Sequence, residues 1–168
     1  MAIHEVGRPR LIDRVEEISG FRLPKTLEWE LIVPSNLHYA DRAAVAVLRQ
    51  VHQVVFHHRL DVPIRLAVVE CLSNAIEHGN RFQARKVVYL RVRCNRRAIQ
   101  IVIRDQGEGF DPAEKRSLEQ LNRKLKERGR GLHIIRHLMD EVRYFRDGRE
   151  VRLIKRLTAG RSGLDRQG

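Results

Sequence analysis

The sequence predicts an α/β (α+β) fold, a two-layer sandwich with a mixed, mostly antiparallel sheet and helices on one face. Three observations predict it. Segments such as TLEWELIV (26–33) and AIQIVIR (98–104) alternate with the two-residue period of half-buried strands. Two longer segments, 39–57 and 61–78, carry apolar residues at helical spacing. The resulting order is strand, helix, helix, strand, strand, charged loop, helix, strand. That order lacks the regular alternation of a parallel doubly wound sheet.

Residues 1–24 have no long period and end at Pro24; they read as an N-terminal extension with one short helix. In TLEWELIV, Leu27, Trp29, Leu31 and Val33 share one face, and Pro34-Ser35-Asn36 stops the strand. A helix then runs from Tyr39 to His57 through Ala44, Leu48, Val51 and Val55. The next opens at Asp61-Val62-Pro63, with Asp61 as its cap and Pro63 near the first turn. KVVYLRVRC and AIQIVIRD form a hairpin around Asn95-Arg96-Arg97. Arg91 and Arg93 alternate with Leu90, Val92 and Cys94, so the sheet has one wet and one buried face. Residues 111–128 are a charged loop, Gly131–Val142 a helix, and EVRLIKRL a last strand. The folded domain is thus 25–157, and 158–168 is a flexible C-terminal tail.

A chain of 168 residues is one domain with a sizeable core. Hydrophobic content of 42% and charged content of 32% are those of a globular protein, and no apolar run is long enough for a membrane span. Cys71 and Cys94 lack the number for a disulfide framework and the spacing for a metal site, so a reduced, cytoplasmic setting is expected. The net charge of +12 favours an acidic partner. Segment 81–104 concentrates it, with eight basic and no acidic residues. Nucleic acid is not the expected partner, since a helix-turn-helix signature is lacking and aromatics are few.

Three polar constellations interrupt this pattern. In ECLSNAIEHGN (70–80) the helical wheel puts Val68, Val69, Leu72, Ala75 and Ile76 on one arc. Glu70, Ser73, Asn74, Glu77 and His78 lie on the other. Glu70 and Asn74, one turn apart, can address one ligand: Glu70 as a proton acceptor, Asn74 as a hard oxygen ligand for Mg²⁺. An ordinary solvated helix face fits the same pattern. DQGEGFD (105–111) follows a strand directly. Asp105 can accept a hydrogen bond from the amino group of a base, and Gly107 and Gly109 permit close backbone approach; a plain Gly-rich turn is the alternative. Arg128-Gly129-Arg130-Gly131-Leu132 opens the third helix, where bare N–H groups and the helix dipole attract phosphate, or where the glycines merely cap the helix.

ExxxNA on a helix, DxGxGF after a strand and GxGL opening a helix, in that order, resemble the GHKL superfamily of ATP-binding domains with the Bergerat fold. ECLSNAIEHGN and GRGLHIIRHLMDEV look most like the serine-kinase anti-sigma factors among them. The resemblance spans about residues 25–157. It implies an ATP-dependent protein serine/threonine kinase using ATP and Mg²⁺. Its substrate would be a serine on an antagonist protein, and a sigma factor would be its second partner. The other reading is a nucleotide-gated binding switch or ATPase without kinase activity. By the same resemblance Glu70 is the general base, Asn74 the Mg²⁺ ligand and Asp105 the acceptor for the adenine amino group. Gly107 and Gly109 pack near the base. Arg128, Gly129, Arg130, Gly131 and Leu132 form the phosphate-binding segment, and residues 111–128 form the lid. A homodimer is implied by the resemblance alone.

One position departs from the pattern. Many members carry a threonine after a glycine before the last strand, where it assists adenine binding; here Arg149 follows Gly148. An arginine cannot accept a hydrogen bond. His133 and His137 form HxxxH but lack a third ligand for zinc, and His52, His57 and His58 read as surface residues. Cys71 reads as a small buried thiol, inert unless the nucleotide pocket reaches it.

Overall fold

The computed structural model describes residues 3–5, 10–12, 16–18, 21–23, 26–55, 58–109 and 135–157. The main sheet has seven strands among the described residues; its five longest run in the order β5 (Thr26–Pro34), β6 (Val87–Asn95), β7 (Ala98–Arg104), β9 (Glu150–Arg156), β8 (Glu141–Phe145), and two short N-terminal strands pair with β5. Every strand pairing among the described residues is antiparallel.

Register puts the apolar alternates in line across the strands. Trp29 lies opposite Val92, Val92 opposite Ile101, and Ile101 opposite Leu153. All four are buried. Their buried face meets two helices, α1 (His38–Val51) and α2 (Asp61–Asn74), which pack on each other. α1 presents Ala40, Ala43, Ala44 and Val47, side chains short enough to bring the helix close to β5. α2 buries Ile64, Ala67, Val68, Cys71 and Leu72. The predicted two-layer sandwich is therefore present.

Four expectations need correction. The N-terminal extension is not helical where described: β1 (His4–Glu5) and β2 (Arg10–Ile12) pair with β5, and β3 (Glu16–Ile18) pairs with β4 (Phe21–Leu23). The open edge of β5 supplies the partner groups that these short segments lack on their own. The first helix ends at Val51, and residues 52–54 continue as a turn. Asp61 does not cap α2; its carboxylate takes the His52 and His58 rings at 2.7 and 3.3 Å, joining the helices instead. Finally, the predicted helix 131–142 has given way to strand by Glu141. Asp140 N–H bonds the Ile154 carbonyl at 2.9 Å, and the Asp140 carboxylate accepts the Arg156 N–H at 2.6 Å, so the chain enters the sheet there. Ile135 and Met139, from the predicted apolar arc, are buried.

The strand β8 and its partner β9 form a hairpin that went unpredicted. Its turn holds Arg146, Asp147 and Gly148 at φ 53°, 54° and 84°. Asp-Gly between alternating strands is a strong hairpin signal, because both turn residues tolerate left-handed backbone.

Candidate nucleotide site

α2 buries Ala67, Val68, Cys71 and Leu72 in the core, which leaves Glu70 and Asn74 half-buried on its flank. Asn74 lines a cleft shared with Cys71, Asp105, Gly109, Tyr144 and Arg149. Two of the predicted site residues from separate segments, Asn74 and Asp105, thus meet at one cavity. Glu70 sits one turn earlier on the same flank, outside the lining, and its charge is felt at the Cys71 thiol.

After Asn74 the helix widens into a single π turn over Ala75–Gly79. The Asn80 N–H reaches back to the Ala75 carbonyl at 2.7 Å, and the Phe82 N–H to the Ile76 carbonyl at 3.0 Å. Such turns insert a residue and redirect the chain beyond them, often at functional sites. Here the redirected residue is Gly79. A Cβ on it would stand 2.4 Å from the carboxylate carbon of Asp105.

Asn80 fixes the same corner. It is fully buried, donates from Nδ2 to Ser35 Oγ at 2.7 Å and to the Val87 carbonyl at 3.0 Å, and accepts the Gln106 N–H at 2.8 Å. Gln106 returns the link, its Oε1 accepting the Val87 N–H at 2.8 Å. One amide therefore ties the end of β5, the end of the helix, the start of β6 and the loop after β7.

That loop carries Asp105. Its N–H bonds the Arg149 carbonyl at 3.0 Å, and its Oδ1 accepts the Gly107 N–H at 2.7 Å. Burial pushes the Asp105 carboxyl above its ordinary value; the bonds from backbone N–H groups and the charges of Arg149 and Lys86 work against that shift. Gly109 has φ 77° and lies under the β8–β9 turn, where a Cβ would stand 2.8 Å from the Asp147 carbonyl oxygen. Arg149 also lines the cleft; its Nε donates to the Arg146 carbonyl at 3.0 Å.

The cleft reaches Cys71, as its sequence position left open. Burial, then the neighbouring Glu70 charge, pushes the thiol up to about 12, so it is a poor nucleophile at neutral pH. The segment 111–128 expected as a lid, the expected phosphate-binding residues Arg128, Gly129, Arg130, Gly131 and Leu132, and His133 lie outside the described residues. Among the described residues no cluster of three or more His, Cys, Asp or Glu could hold a metal.

A profile of the histidine kinase-like ATPase domain matches residues 33–155. The chain belongs to this family. The anti-sigma F factor of Anoxybacillus flavithermus is 33% identical over 104 residues, covering 59% of this chain and 71% of the relative. The anti-sigma F factor of Bacillus cereus is 31% identical over 115 residues, covering 64% and 79%. The serine-protein kinase RsbW of Bacillus licheniformis is 33% identical over 86 residues, covering 48% and 54%.

Within this histidine kinase-like ATPase domain, Gly79, Asn80, Gln106 and Tyr144 were not foreseen as site residues. Gly79-Asn80 directly follows the ExxxNA helix, and an apolar helix ending in Gly-Asn signals a turn beside the polar face. Tyr144 lies beyond the predicted helix end at Val142, in a stretch too short to show a strand period of its own. No helix among the described residues is long and apolar enough to cross a membrane.

Proposed function

We propose that this domain is a Mg-ATP-dependent protein serine/threonine kinase of the anti-sigma type, acting on a serine of an antagonist protein. The observation that carries the reading is Asn74 and Asp105 at one cleft, with Glu70 one turn from Asn74 on the same helix flank. The adenine amino group would donate to the Asp105 carboxylate, and the phosphates would extend along α2 past Asn74. Asn74 would hold Mg²⁺ through its amide oxygen; the ion, when bound, neutralises phosphate charge. Glu70 would take the proton of the substrate serine as its Oγ bonds to the γ-phosphorus and the bond to the β–γ bridging oxygen breaks, releasing ADP.

A second reading is a nucleotide-gated binding switch or ATPase without transfer, and Arg149 bears on how tightly either would hold adenine. Its guanidinium lines the base end of the cleft where a hydrogen-bond acceptor would assist adenine. Titration calorimetry with ATP, with and without Mg²⁺, tests the nucleotide site; no heat at millimolar ATP overturns it. Radiolabel transfer to antagonist proteins separates the two readings. Glu70→Gln should keep ATP binding and lose transfer, and a fully active Glu70→Gln would remove Glu70 as the base.

A further inference from the structure

The face of the sheet opposite the helices carries a second recess. A groove of about 490 Å³ runs over Glu30, Tyr89, Arg91, Arg104, Arg146 and Arg152. It adjoins a cleft that shares Tyr89, Arg104 and Arg146 with it and reaches Asp105 and Arg149. The carboxylates in the groove are already taken. Glu30 pairs with Arg91, and Glu150 pairs with Arg146 at 3.2 Å and Arg152 at 3.7 Å.

Arg104 stands out. It lies directly across from Glu150 in the β7–β9 register, yet it forms no ion pair with a described carboxylate. Its guanidinium rests 4.9 Å above the Tyr89 ring instead. Arg152 likewise lies over Phe145 at 4.5 Å, and its Nε is buried without a hydrogen-bond partner. Arg143 is paired directly across from Arg152, a like-charge pair that costs stability in a sheet. Positive charge is thus in excess on this surface: Arg104 pairs with no described carboxylate, and Arg152 faces Arg143.

We propose that this groove docks an acidic segment of a partner protein, with alternating carboxylate and apolar side chains. The carboxylates would reach Arg104, Arg146 and Arg152, bidentate where geometry allows. The apolar side chains would rest on Ile32 and Val102, which floor the groove between the charges. That apolar floor and the interspersed Glu30 and Glu150 disfavour nucleic acid, whose backbone presents unbroken negative charge. A second copy of this chain would bring like charge against like.

The probe is a fluorescein-labelled peptide of alternating Glu and Leu, titrated with the full chain at about 0.15 M salt and followed by anisotropy. The parent should bind it. The double variant Arg104→Gln, Arg146→Gln should bind about tenfold more weakly, while Arg97→Gln, in the exposed β6–β7 turn, should match the parent. Hydrogen exchange of the parent with and without peptide gives a readout free of any variant: protection should centre on β6, β7 and β9. The proposal is overturned by absent binding, by equal loss in Arg97→Gln, or by protection elsewhere. It is also overturned if a labelled DNA duplex binds more tightly than the peptide, or if sedimentation shows a dimer that the double variant dissociates.

Discussion

A Cβ on Gly107 would stand 2.3 Å from the carbonyl oxygen of Gly79. The two glycines, from segments joined by neither sheet register nor helix, are packed backbone to backbone beside Asp105. Gly107→Ala therefore has to move one of two main chains. It should lower stability by about 1–3 kcal/mol, the usual range for overpacking. ATP heats in calorimetry should fall with it, because the displaced loop carries Asp105.

Asn80→Ala removes the side chain shared by Ser35, Val87 and Gln106. Each buried group left unpaired costs about 1–3 kcal/mol. The urea midpoint should fall accordingly, with little change in slope. Parent-like stability would show that the network contributes nothing.

Asp105 links stability to pH with a definite sign. Its folded value is raised above the ordinary 3.8, so the fold favours the protonated form. The stability it contributes is complete below about 3.8 and is lost as pH rises through the raised value. At neutral pH the ionised carboxylate is a cost to the ligand-free fold. Asp105→Asn should then melt no lower than the parent at neutral pH while losing discrimination between ATP and GTP. A large drop in melting temperature would contradict this.

The two cysteines act at the alkaline end. Burial pushes both thiols up to about 12 from 9.0, with the Glu70 charge adding to the shift at Cys71. Their contribution is full below about pH 9 and fades as pH rises toward about 12. Urea unfolding of the parent should show a steeper alkaline loss than that of the Cys71→Ala, Cys94→Ala variant. Native thiols should alkylate far more slowly at mildly basic pH than those of the unfolded chain.

Period and register are legible where apolar residues alternate strictly. The spacing of Leu27, Trp29, Leu31 and Val33 assigns them to one face, and all four are buried. The meeting of Asn74 with Asp105 is legible only through the motifs, because periodicity places a residue on a face but does not say what faces it. β8 is lost because Val142 continues the helical spacing of Ile135 and Met139, and local period cannot see the bond from Asp140 to Ile154. The π turn is invisible for a related reason: a one-residue insertion leaves the apolar pattern of Ala75 and Ile76 intact. Asn80 reads as a helix terminator, although its three bonds are to residues 7 to 45 positions away.

The pairing of His4–Glu5 and Arg10–Ile12 with β5 has a practical consequence for anyone trimming the chain. The family match begins at residue 33, so a minimal domain starting near Thr26 would look complete by homology. It would strip the β1 and β2 partners from five residues of β5, Thr26, Leu27, Glu28, Leu31 and Ile32, and leave that edge open. Such a rim invites strand-to-strand stacking between molecules, so the shortened protein should precipitate on concentration although every predicted nucleotide ligand remains in place.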